Sequence, residues 1–191
     1  MTEQGDRRGQ GARPVRAPRR ITPDYLQRAA MHYLERYSAP AAQLRRVLAR
    51  KIALSCRHHG EDPAAHAAAL DDVVSRCVGS GLVDDQRFAE ARAATLRRRG
   101  RSARAVAASL TAKGVGRELA EEASNVDEAE ELAAARKAAR RKRLGPWSRG
   151  DRSASRQKDL AALARAGFSI TIVRAVIDGA DDEDLESDTR A

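Results

Sequence analysis

Apolar residues recur along this chain with the period of an α-helix, and capping residues mark where each run begins. Thr22-Pro23 reads as an N-cap with proline in the first turn, and Leu26, Ala30, Tyr33, Leu34 and Tyr37 then predict a helix to about residue 37. A second helix starts near Pro40, taken as its first position, and carries Leu44, Val47, Leu48 and Ile52. A third follows Pro63 with Ala67, Leu70, Val73, Val74 and Val78, until Gly79 and Gly81 stop it. Asp84 is the expected N-cap of the next helix, 85–99, with Asp85 in its first turn and Val83 and Phe88 as a hydrophobic staple. Gly100 ends it. Ser102 caps 103–113, which carries Val106 and Leu110, and Gly114 supplies the left-handed residue that stops it. A short helix over 118–123 comes next, then helices over 127–143, 155–166 and 169–177, with a loop from 145 to 153 between the first two of these.

The order of elements repeats. Ser102, Leu110 and Gly114 recur as Ser155, Leu163 and Gly167 at the same offsets, and Pro40, Leu48 and Ile52 keep them too. The expected architecture is therefore all-α: three tandem three-helix repeats in an elongated array, at 22–82, 83–126 and 127–178. Units this small bury too little surface to stand alone, so neighbours must support one another. Residues 1–21 and 179–191 are expected to be disordered tails, the first basic and the second acidic.

Composition agrees with this layout. Of 191 residues, 42% are hydrophobic but only 3% aromatic, which calls for thin cores of Leu, Val, Ile and Ala. The net charge of +9 draws the chain towards nucleic acid or an acidic protein surface. Two cysteines make no disulfide framework, and the early arginines lead into neither a signal peptide nor a membrane span. The expected location is the cytoplasm, without membrane contact.

Charge supplies the candidate chemistry. Arg97, Arg98, Arg99, Arg101 and Arg104 crowd one helix junction with no acidic residue among them. One or two cations at a helix C-terminus complement its dipole, but further ones repel unless an anion is present. A second cluster comprises Arg136, Lys137, Arg140, Arg141, Lys142 and Arg143. On a helix running to 143, residues 136, 140 and 143 share one face and 137 and 141 another. Both clusters are assigned to phosphates or acidic side chains of a partner.

Other constellations carry less. Asp84-Asp85 does not form a catalytic carboxylate pair, because capping accounts for both. Cys56, His58, His59, His66 and Cys77 match no standard zinc-finger spacing, so no metal site is assigned to them. Trp147 is expected to be buried as an anchor between units, and Tyr25, Tyr33 and Tyr37 to lie in the core. No phosphate loop, nucleophile elbow or metal-ligand motif is found, which argues against an enzyme.

The run Gly81-Leu82-Val83-Asp84-Asp85, with Phe88-Ala89, Gly100, Ser102, Leu110 and Lys113-Gly114-Val115, resembles the RecX family of RecA regulators. Tyr33-Leu34-Glu35-Arg36-Tyr37, residues 44–51 and Arg165-Ala166-Gly167-Phe168-Ser169 extend the resemblance over about 26–177. It implies three repeats of a three-helix motif and no cofactor. It also implies binding to the RecA recombinase and its nucleoprotein filament, with inhibition of filament growth, ATP hydrolysis and strand exchange. Pro40 departs from the family's capping serine, and the basic tail inherits nothing. The reading is a monomeric modulator that bridges RecA and the backbone of single- or double-stranded DNA. The alternative is a DNA-binding architectural protein acting without RecA.

Overall fold

A computed structural model describes residues 17–179; the basic tail up to residue 16 and the acidic tail from residue 180 lie outside the described residues. Among the described residues there are nine α-helices, two short 3-10 helices and no strand. The first bundle holds α1 (Pro23–Leu34), α2 (Ala41–His59) and α3 (Ala67–Gly79), with a 3-10 turn at Pro63–His66 leading into α3. The second holds α4 (Asp85–Arg98), α5 (Ala103–Lys113) and α6 (Arg117–Ser124), and the third α7 (Glu128–Lys142), α8 (Arg152–Arg165) and α9 (Ile170–Ile177).

Each bundle closes over its own core. Leu26, Leu44, Leu48, Ile52, Val73 and both cysteines fill the first; Ala89, Ala93, Val106, Leu110 and Ala120 the second; Leu163, Phe168, Ile172, Val173 and Ile177 the third. Alanines on α4 and α7 let the helices approach closely, as the low aromatic content requires. Ile21 is buried in the first core, and Ser55 Oγ donates to the Arg19 carbonyl, so residues 17–21 are laid against α2.

The caps work as the side-chain chemistry demands. Thr22, Asp84, Ser102, Asp127 and Ser169 each accept a backbone N–H from the first turn of the helix they precede. Four expectations are corrected. Pro40 is the N-cap of α2 and not its first helical residue, and it makes no capping bond of its own. Asp151 starts α8 three residues earlier than the repeat suggested, because its carboxylate accepts from the N–H groups of Ser153 and Ala154. The Ser153 hydroxyl and those N–H groups hold the Asp151 carboxyl below the ordinary aspartate range. Ser155 instead donates to the Asp151 carbonyl from inside the helix. Finally, α1 stops at Leu34, so Tyr37 leaves the apolar stripe and is 57% exposed against the half-buried Tyr33 ring, while Arg143 ends α7 in the left-handed region at φ 56°.

The bundles are joined end to end through their second helices, by polar contacts. At the first joint the Ala41 N–H donates to Asp85 of α4 at 2.8 Å, supplying the cap that Pro40 lacks, and Arg46 donates to the Lys113 carbonyl at the end of α5 at 2.6 Å. At the second joint the Ala103 N–H donates to Glu131 of α7 at 3.0 Å, and Ser102 Oγ donates to the Ala166 carbonyl at the end of α8 at 2.7 Å. Gly114 and Gly167 both adopt φ +98° at these joints. A Cβ on Gly114 would lie 2.7 Å from the Ala42 Cβ, and one on Gly167 would lie 2.6 Å from Ser102 Oγ.

These distances separate backbone strain from joint packing. Gly60→Ala, at φ +71° with open space around it, should cost about 1–2 kcal/mol for the left-handed backbone alone. Gly167→Ala carries a comparable backbone cost and should lose a further ~1–3 kcal/mol from overpacking. Urea denaturation of both variants checks this; equal losses would mean that the joint opens freely.

Candidate partner-binding trough

The same joints gather cations that the sequence keeps apart. Between the second and third bundles lies a groove of about 850 Å³, into which Arg101, Arg104, Arg141, Lys142 and Arg165 project and which no acidic residue lines. Between the first and second bundles lies another, of about 830 Å³, lined by Arg46, Arg50 and Lys113 and again by no acidic residue. Ser109 of α5 lines both, so the two grooves meet and form one trough along α2, α5 and α8. Small residues form its floor, with Ala105, Ala108 and Ala162 on one side of Ser109 and Ala49, Ala53 and Ala112 on the other. The cations thus surround a floor without bulky side chains, a shape that admits a flat or extended anionic surface.

Geometry divides the predicted residues into distinct groups. Arg101 and Arg104 come from the first cluster and Arg141 and Lys142 from the second, and the structure brings these four together. Arg97 instead holds the fold: its guanidinium donates to the carbonyls of Ala123 and Asn125, both at 3.1 Å, and thereby closes the end of α6. Arg97, Arg101 and Lys137 also border a smaller cleft of about 280 Å³ that includes Glu130 and Glu131, so acidic residues do approach the first cluster in space. Arg136, Lys137 and Arg140 surround Trp147 within the third bundle, in a cleft of about 570 Å³. Trp147 is half-buried against the third core, which corrects its expected place between units. Arg98 is exposed and donates to Thr95 Oγ1 at 3.2 Å, and Arg99 and Arg143 are exposed at the ends of α4 and α7.

Sequence reading missed Arg165, Arg46, Arg50 and Lys113. Arg165 and Lys113 stand outside any charge run, Arg46 and Arg50 sit only in basic pairs with Arg45 and Lys51, and the joints bring the four to the trough. Arg141 also donates to the Arg99 carbonyl across the second joint, so one side chain both lines the trough and fastens it. Among the five residues weighed for zinc, Cys56 and His66 do approach each other, joined by Glu61. Cys77 is buried in the first core and His59 bonds the Pro18 carbonyl. No helix among the described residues is long and apolar enough to cross a membrane.

Fold and trough together define an all-α protein of tandem three-helix bundles whose second helices share a basic concave surface. Comparison with known proteins specifies it further. The family model described as RecX, second three-helix domain, matches residues 84–123. The chain is 44% identical to the regulatory protein RecX of Myxococcus xanthus (strain DK1622) over 87% of its own length and 91% of the relative's. It is 33% identical to the regulatory protein RecX of Agrobacterium fabrum, covering 78% of this chain and 79% of that one. The crystal structure of RecX from Lactobacillus salivarius shares the fold, with a TM-score of 0.65 at 18% identity over 82% of this chain and 94% of that one. This chain belongs to the RecX family of regulatory proteins.

The division between structural and surface arginines has a measurable consequence. Arg97→Ala should destabilise the fold by about 1–2 kcal/mol, since two carbonyls lose a charged donor. Arg98→Ala should stay within about 0.5 kcal/mol of the parent. Chemical denaturation of the two variants checks the assignment; the reverse order would contradict it.

Proposed function

We propose that this chain binds the RecA recombinase and its nucleoprotein filament and inhibits ATP hydrolysis, filament extension and strand exchange, thereby modulating recombinational DNA repair. It acts as a cytoplasmic monomer, and its action on RecA requires no cofactor. Its proposed repeats span 22–82, 83–126 and 127–178. The observation that carries this reading is the trough, whose five cations on one side of Ser109 and three on the other face no acidic lining residue.

A groove lined by cations suits a nucleoprotein filament. A nucleoprotein filament offers phosphates and acidic side chains at regular intervals along an axis, and a linear series of cations engages several of them together. Exposed ion pairs are individually worth only about 0–1 kcal/mol, so a single contact would not hold the chain in place. Each phosphate neutralised on duplex DNA also adds roughly 0.9 to the salt slope of binding through counterion release. Arg101, Arg104, Arg141 and Lys142 are assigned the central contacts. Arg98, Arg99, Arg136, Lys137, Arg140 and Arg143 flank them on neighbouring surfaces.

Arg104, Lys142 and Arg165 are exposed, and their combined replacement by glutamate should weaken inhibition of RecA ATPase activity by well over ~10-fold, as a cationic surface becomes anionic. Helical circular dichroism should not change. Unaltered inhibition would remove the trough from the mechanism. Inhibition measured at sub-stoichiometric protein with DNA in excess should persist; its disappearance would favour DNA binding independent of RecA.

A further inference from the structure

The first bundle contains a cluster that the trough does not use. Cys56 stands in the last turn of α2, Glu61 in the loop after it and His66 at the end of the 3-10 turn. Gly60 takes φ +71° and turns the chain, while Asp62 caps the 3-10 turn by accepting from the Ala64 N–H at 2.9 Å. The turn therefore brings a sulfur, a carboxylate oxygen and an imidazole nitrogen within 4.8 Å of one another. Cys56 is 1% exposed, and the side chains of Glu61 and His66 are 27% and 19% exposed, so the cluster sits at the edge of the core with one side open to solvent.

We propose that Cys56, Glu61 and His66 form a binding site for a borderline transition-metal ion of the Zn²⁺ class, with water in the fourth position. Thiolate, imidazole and carboxylate together suit this class and suit neither Ca²⁺ nor Mg²⁺. Bond lengths of about 2.0–2.3 Å in a tetrahedral site place ligand atoms roughly 3.5 Å apart. His66 Nε2 and Glu61 Oε2 already stand 3.4 Å apart. Cys56 Sγ lies within 4.8 Å of a ligand atom of each.

Two local features define how the site loads. Metal binding forms the sulfur–metal bond at Cys56 and releases the thiol proton to solvent. Arg20 donates to the other carboxylate oxygen, Glu61 Oε1, and its positive charge beside the site opposes a cation there. The ion would clasp the end of α2 to the start of α3.

The test titrates the full-length protein, purified metal-free, with Co²⁺ alone and with Zn²⁺ in competition. The expected result is one equivalent bound, with near-ultraviolet thiolate-to-cobalt charge transfer and visible bands of four-coordinate cobalt, both removed by Zn²⁺. Cys77→Ser should keep these bands and Cys56→Ser should lose the charge transfer. Because Cys56 is a core residue whose replacement can unfold the bundle, His66→Asn provides the independent arm. It should weaken binding at least ~10-fold while preserving helicity. Arg20→Ala should tighten binding, a gain that a general loss of structure cannot produce. Absence of the charge-transfer band, its persistence at unchanged affinity in His66→Asn, or weaker binding in Arg20→Ala would overturn the site.

Discussion

Second helices that meet end to end set the terms for the rest of this molecule. The N-terminus of α2 lies against the C-terminus of α5, and that of α5 against the C-terminus of α8. Free N–H groups at one helix end and free carbonyls at the other need partners wherever the chain is packed. Here the neighbouring bundle provides them. Asp85 and Glu131 accept the first N–H of α2 and α5, while Arg46 and Ser102 donate into the carbonyls that end α5 and α8. Losing a side-chain cap costs about 0.5–2 kcal/mol, a large amount for units with cores this small. Glycine at 114 and 167 then allows the close approach that lets these short bonds form.

The joints account for the trough as well as for stability. Stacking α2, α5 and α8 exposes one side of each second helix along a shared line, and the cations on those sides become neighbours through tertiary structure alone. Arg46 and Arg141 serve both purposes, since each donates across a joint and also lines a groove. Any rearrangement of one bundle against the next would change the spacing of the charges. Holding this spacing is how a fold of three separate small cores can present one continuous surface.

How much of this the sequence discloses depends on how local the determining interaction is. Helix starts were legible at Thr22, Asp84, Ser102 and Ser169 because an N-cap bonds within three residues of itself. The apolar period located Leu44, Leu48, Leu110 and Leu163, all fully buried. Asp85 was read only as a first-turn charge, since its partner Ala41 lies 44 residues away. Arg165 and Lys113 gave no signal for the same reason: each is an ordinary cation near a helix C-terminus until another bundle packs beside it. Arg97 looked like its neighbours in the run, yet its position on α4 turns it towards the end of α6. The lining of the candidate trough was therefore half legible, through Arg101, Arg104, Arg141 and Lys142, and the other half comes from contacts between bundles.

The proposed place of the partner is along the trough where the bundles meet. Site-specific photocrosslinking tests it most directly, with a benzophenone side chain placed at Ala108 on the trough floor or at exposed Glu122 of α6, which lines neither groove. Irradiation on assembled RecA filaments should yield a covalent adduct to RecA or DNA from position 108 and little from 122. Equal adducts from both positions, or adducts from 122 alone, would contradict the account.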